Sequence, residues 1–208
     1  IFRGTEAPDP FSAADSERPE DLWSYLVALR ARGIEAPAIP HNAIVSNGLM
    51  YDGNGSDGRP LDAATQRRRA ANEPLVEIAQ TKGQSETHPL LSPADEFAGF
   101  ELFETLFSGK QGRVPGSYVR EAWGLGLVLS QRIGANPYRA GVAGGTGLRD
   151  GFSDTREDTY RGANGAGRPD DATVKKLLGI ERDPASPISQ LATGSGALTG
   201  VWAEANTR

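Results

Sequence analysis

Ala36-Pro37-Ala38-Ile39-Pro40-His41-Asn42 decides how this chain is read. A short apolar run ends in a proline, and one of only two histidines follows at once. This composition predicts a strand over 35–40 that delivers His41 to a sheet edge, where α/β folds hold their ligands. Upstream, Pro19 suits the first turn of a helix, and Glu20 and Asp21 complement the dipole there. Leu22, Leu26 and Leu29, flanked by Trp23 and Tyr25, make a helical stripe that Gly33 stops. A helix handing over to a short buried strand is half of an α/β repeat.

The same alternation continues downstream. Residues 42–60 form a turn-rich loop whose Asp52-Gly53-Asn54-Gly55-Ser56-Asp57 run superficially resembles a calcium loop. It fails on ligands, with Asp57 in place of the required glycine and Ala63 in place of the bidentate glutamate. A helix over 61–72 follows, ended by Pro74, on which Arg67-Arg68-Arg69 reads as a solvated face. Leu75-Val76-Glu77-Ile78-Ala79 is a second strand, and a polar loop from Gln80 to Pro89 follows it, carrying Lys82, Glu86 and His88. Ser92-Pro93 opens a helix through about 107, with Phe97, Phe100, Phe103 and Phe107 as a packing face. Ser117 caps a helix lined by Tyr118, Ala122, Leu125, Leu129 and Ile133 and ended by Gly134. Tyr138 to Ala143 is a third strand, and it runs into Gly144-Gly145-Thr146-Gly147-Leu148-Arg149-Asp150. That glycine cluster lacks both the phosphate-loop lysine and the dinucleotide spacing. A loop over 151–170, a helix over 170–179 and a strand from Thr199 to Ala203 complete the pattern. The expected fold class is α/β, with a parallel sheet and the chemistry in the loops after the strands.

Composition narrows the chemistry. The chain has 208 residues, a net charge of −5 and a pI near 5.2, a balance that argues against nucleic-acid or anionic-membrane partners. No stretch approaches the roughly 20 apolar residues that span a bilayer. With no cysteine, any metal must be held by His, Asp or Glu. High glycine and proline contents (26 and 14) predict long loops between modest elements. Both ends read as cut, so 1–208 is expected to be one partial catalytic-type domain, truncated at each end.

Three loops therefore offer His41 and Asn42, then Lys82, Glu86 and His88, then Thr146, Arg149 and Asp150. Imidazoles and carboxylates converging from separate loops can hold a divalent ion, which lowers the pKa of its bound water. Glu86 or His88 would then handle protons. Against this stands the plainer reading that a histidine after a strand is more often a hydrogen-bonded structural group than a ligand. There is no paired-histidine motif and no nucleophile elbow.

Several motifs occur in one order: Ser16-Glu17-Arg18-Pro19-Glu20-Asp21-Leu22-Trp23, Ile39-Pro40-His41-Asn42, Ser46-Asn47-Gly48-Leu49-Met50, Asn72-Glu73-Pro74-Leu75-Val76-Glu77-Ile78 and Lys82-Gly83-Gln84-Ser85-Glu86. With Asp95-Glu96-Phe97 and Gly116-Ser117-Tyr118-Val119-Arg120, they resemble the bacterial family called domain of unknown function 3604. That family is similar to the PHP (polymerase and histidinol phosphatase) metal-dependent phosphoesterases. The resemblance implies part of a distorted β/α barrel, incomplete here and with long loops. It also implies a periplasmic or secreted protein, a divalent metal such as Zn or Mn, and a small phosphate or related ester as substrate. By the same resemblance His41 is a metal ligand, Glu86 a ligand or proton carrier, and Asn42, Asn47 and Lys82 polar groups on the substrate side.

One departure matters. Where the family reads Gly-Ser-Thr-Asp-x-His, this chain has Gly147 at the Asp position and Arg149 at the His position. Glycine supplies no ligand, and arginine cannot deprotonate to coordinate. Two expectations follow. The first is a fragment of a metal-dependent, phosphoesterase-like hydrolase. The second is a catalytically degenerate relative that binds an anionic ligand through Arg149, whose planar fork suits phosphate or carboxylate, with no metal.

Overall fold

Arg69 sits in the interior of this protein, although it closes a run of three arginines. The computed structural model describes residues 3–4, 7–145 and 196–205. Along them run α1 (Pro19–Ala31), α2 (Ala63–Asn72), β1 (Leu75–Gln80), β2 (Gly83–Gln84), α3 (Val119–Ile133) and β3 (Gly141–Gly144). The fold is α/β, as the alternation predicts. No helix among the described residues is long and apolar enough to cross a membrane.

The helices follow their end signals. Helix α1 starts on Pro19, carries Glu20 and Asp21 in its first turn, and buries Trp23, Leu26 and Leu29. Gly33, just past its end, adopts φ +78°, a conformation cheap only for glycine. Asp62 caps α2 by accepting a hydrogen bond from the Thr65 amide at 2.7 Å. Helix α3 is capped one residue later than predicted, at Tyr118 rather than Ser117. Its first amides, those of Val119 and Arg120, donate to the carbonyls of Ser85 and Glu86 at 2.9 and 3.0 Å. The Ser117 hydroxyl instead joins two loops, accepting from the Gly48 amide and donating to the Arg113 carbonyl. Gly134 ends α3 in the left-handed region.

The buried face of α2 is polar, formed by Gln66, Arg69 and Asn72. Arg67 and Arg68 are the solvated arginines expected from the sequence; Arg69 is only 6% exposed. Its Nε donates to Glu73 Oε2 at 2.8 Å, and an Nη donates to the Met50 carbonyl at 2.8 Å. The second Glu73 oxygen accepts from the Trp23 indole at 2.7 Å. The guanidinium lies 4.9 Å from the Tyr138 ring centroid and 5.5 Å from that of Trp23. A cation is tolerated there because every side offers a carboxylate, a carbonyl or an aromatic face.

The sheet is mixed rather than parallel. β1 is central, with β3 parallel to it on one side and β2 antiparallel on the other. Two residues, Thr81 and Lys82, connect β1 to β2, which is enough for a hairpin and far too short for a parallel crossover. The predicted strand at 35–40 does not join the ladder, because Pro37 and Pro40 have no amide to donate. The segment still runs beside β1 in the same direction, tied by Ala38 N to the Asn72 carbonyl at 2.8 Å and by Glu77 N to the Pro40 carbonyl at 2.9 Å.

The predicted helix at 92–107 is a chain of turns. Gly99 weakens its middle, and the Asp95 side chain takes the Phe97 amide. Phe103 is buried, whereas Phe97, Phe100 and Phe107 are exposed, so the aromatic face never forms. The Glu101 carbonyl lies 2.0 Å from where a Cβ on Gly83 would stand, and Gly83 has φ +105°; that turn therefore needs glycine. Thr199 to Ala203 is not a strand: Val201 and Trp202 are exposed, and the Thr199 hydroxyl occupies the main chain of Gly144. The loop at 151–170, the helix at 170–179 and Thr146 to Asp150 lie outside the described residues.

The largest apolar cluster joins Ala43, Tyr51 and Val76 to Val119, Ala122 and Tyr138, and so packs α3 onto β1. Arg69→Met leaves Glu73 buried without its countercharge. The expected loss is about 3–5 kcal/mol, measured by urea unfolding at neutral pH.

Candidate functional site

The C-terminal end of β1 carries a connected polar group. A register shift between Glu77 and Ala79 interrupts the strand's alternation. Such an irregularity re-aims side chains, and here those of Glu77 and Gln80 meet. Gln80 is 3% exposed and forms the hub. Its amide nitrogen donates to Asn42 Oδ1 at 2.5 Å and to Glu77 Oε1 at 2.8 Å, while its oxygen accepts from Lys82 Nζ at 3.1 Å. The Asn42 main-chain amide reaches the same Glu77 oxygen at 3.3 Å.

Local conformation places each member. Asn42 adopts φ 58°, which asparagine tolerates better than other non-glycine residues, and it opens a 3-10 turn at Ala43–Val45. That bend leaves His41 exposed at the edge, one residue after Pro40. Lys82 stands in the β1–β2 turn, half-buried. Among the described residues it makes no ion pair, so its ammonium keeps donors for a ligand. The group offers one imidazole, one carboxylate, two carboxamides and one cation within a few residues of a sheet edge.

Two of the sequence-predicted residues, Asn42 and Lys82, thus share the Gln80 hub, His41 stands exposed next to Asn42, and three others are held elsewhere. Glu86 pairs with Arg120, whose other nitrogen donates to Asp95 Oδ2 at 2.6 Å. The hydrogen bond from Arg120 holds the Asp95 carboxyl below the usual aspartate range. His88 is buried; its Nδ1 accepts from the Leu90 amide at 3.1 Å and its Nε2 faces Glu104 Oε1 at 3.0 Å. An accepting Nδ1 puts the proton on Nε2, directed at the carboxylate. Beside it, burial and then the Glu104 carboxylate push the Tyr118 hydroxyl up to about 12. Asn47, at φ 54°, accepts from the Arg113 amide at 3.0 Å and shapes a turn. Arg149 lies outside the described residues.

Sequence reasoning missed Glu77 and Gln80, the two residues that join the others. The available signal was two polar side chains placed in a short central strand. As a metal centre the group is incomplete among the described residues. His41 and Glu77 are its only His or carboxylate members, and no cluster of three or more such side chains occurs among the described residues. A catalytic zinc site draws on three protein ligands.

The family described as protein of unknown function (DUF3604) matches residues 1–208. The chain belongs to this family. No curated protein and no solved structure matches it. The DUF3604 match extends over the His41–Lys82 edge and the ion-paired loop at Glu86 alike.

Two outcomes are expected. Gln80→Leu strips Asn42, Glu77 and Lys82 of their common partner, and urea unfolding should show a loss of about 1–3 kcal/mol. Asp95, with its pKa depressed, contributes stability above the unfolded value near 4 and loses it as pH falls through the lower folded value. Arg120→Met should therefore be destabilised against the parent at about pH 7, and the gap should narrow by about pH 2.5.

Proposed function

We propose that the His41–Lys82 edge is the phosphate-ester site of a hydrolase related to the PHP metal-dependent phosphoesterases. In this reading the described sheet is part of an incomplete, distorted β/α barrel, and the protein is periplasmic or secreted. The carrying observation is the meeting of Asn42 and Lys82 on the Gln80 hub, with His41 next to Asn42 in the chain. The ordered motifs of the sequence, with Ile39-Pro40-His41-Asn42 at the end of a strand-like segment, support the kinship.

Each residue then has a task. Lys82 supplies positive charge to an ester oxygen, and the Asn42 carboxamide adds a neutral donor. Gln80 fixes both, and Glu77 accepts the Asn42 main-chain amide and so sets the approach of His41. Among the described residues His41 and Glu77 are the group's only His or carboxylate members, so no step of the chemistry is assigned to a metal.

A second reading is an anion-binding relative without a metal. The observation favouring it is Lys82, a cation with no ion-pair partner among the described residues. Arg149, standing where the family's histidine is expected, points the same way. Thermal unfolding with added Mn or Zn separates the two. For the hydrolase, a hundredfold excess of metal over its Kd stabilises by about 2.7 kcal/mol, and His41→Ala abolishes the gain. For the anion binder, metal has no effect, phosphate stabilises, and Lys82→Gln removes that effect. Gly147→Asp combined with Arg149→His raises metal affinity if those positions are the family's ligand positions.

A further inference from the structure

Phe107 is a large apolar side chain left 58% exposed, and its place next to the polar edge is not accidental to the loop that carries it. Thr105 and Gln111 form an antiparallel bridge. Within it Leu106 N donates to the Lys110 carbonyl at 2.7 Å, and Gly109 N to the Leu106 carbonyl at 2.8 Å. Gly112 N closes the base on the Glu104 carbonyl at 2.8 Å. This short hairpin holds Phe107 at its tip, with the ring centroid 5.9 Å from Lys82 Nζ. The ring therefore borders the Lys82 cation, and solvent reaches the side chain.

Burial cannot explain the position, since an exposed phenyl ring gains little from packing and costs solvation. A cation beside an open aromatic face has the two halves needed to recognise an amphipathic anion. The ammonium takes the charged oxygens, and the ring takes a flat apolar group by offset or edge stacking. Phe97 and Phe100 are exposed too, but among the described residues the ring that Lys82 approaches is that of Phe107.

We propose that Phe107 is a specificity-determining residue and that the ester bound at the Lys82 edge carries an aryl group. The proposal rests on the phosphate-ester reading of that edge. Lys82 binds the phosphate part, Phe107 stacks on the ring, and the hairpin from Glu104 to Gly112 sets the distance between them.

Isothermal titration of the full chain with phenyl phosphate and with inorganic phosphate tests this. Phenyl phosphate should bind roughly tenfold more tightly, the worth of one stacking contact. Phe107→Ala should erase that preference while leaving the phosphate Kd unchanged, and Lys82→Gln should weaken both. Phe107 is exposed, so the variant keeps the parent's unfolding midpoint. Phosphate binding without an aryl preference, or a preference that survives Phe107→Ala, overturns the proposal and leaves the phosphate-ester reading standing. Binding of neither compound overturns both.

Discussion

The described structure depends on a charge that it has to bury. Arg69 brings a guanidinium into the interior, where desolvation is the largest single influence and disfavours the charge, yet Glu73 and the neighbouring tyrosines together carry its pKa above the ordinary arginine value. The pair ties together otherwise distant segments: α1 through the Trp23 indole, the 42–60 loop through the Met50 carbonyl, and the approach to β3 through the Tyr138 ring. No apolar side chain of similar size could do this, because the bonds reach specific acceptors in three directions. The same setting pushes the Tyr51 and Tyr138 hydroxyls up through burial, so both stay neutral beside the ion pair. A buried pair of this kind is costly to break and fixes one arrangement of its neighbours.

That arrangement leads directly to the candidate site. Asn72 closes the helix on which Arg69 sits and is fully buried. Its side chain accepts from Arg30 and donates to the Arg68 carbonyl, which leaves its main-chain carbonyl to receive the Ala38 amide. Two residues on, the Pro40 carbonyl receives the Glu77 amide. The position of His41 and Asn42 against β1 is thus inherited from the end of α2. The proline-rich segment keeps its place without ladder pairing because these two bonds suffice to set its register.

Legibility of the fold tracked the range of the forces involved. Helix α1, helix α3 and β1 were readable because their stop signals and apolar spacing are local: Pro19, Gly33 and Gly134 act within a turn of where they stand. Residues 92–107 misled for the complementary reason. Their aromatic spacing matched a helix, but Gly99 and the Asp95 side chain favour turns, and of the four rings only Phe103 found a surface to cover. Arg69 has one local mark that Arg67 and Arg68 lack, the Glu73 carboxylate four residues on, but the rings of Trp23, Tyr51 and Tyr138 that surround it come from elsewhere in the chain. At the edge, His41, Asn42 and Lys82 could be picked out as chemistry-bearing residues after strands. Gln80 could not, because its role exists only once a register shift turns it toward Glu77. Glu86 and His88 looked equally eligible, and what sets them apart is the company of Arg120 and Glu104.

The identity of the hub also decides the electrostatics of the edge. An acid at position 80 would ion-pair with Lys82 and leave little charge for a ligand. Glutamine accepts one hydrogen bond from the ammonium through a neutral oxygen, which holds the side chain in place without cancelling its charge. Its nitrogen meanwhile satisfies the Glu77 oxygen, so the one carboxylate of the group is engaged by the amide rather than by the lysine. Glu77 and Lys82 are thereby kept as separate charges joined through a dipole. The lysine is positioned but not neutralised, and that is the property an anion-binding edge requires in a chain whose net charge is negative.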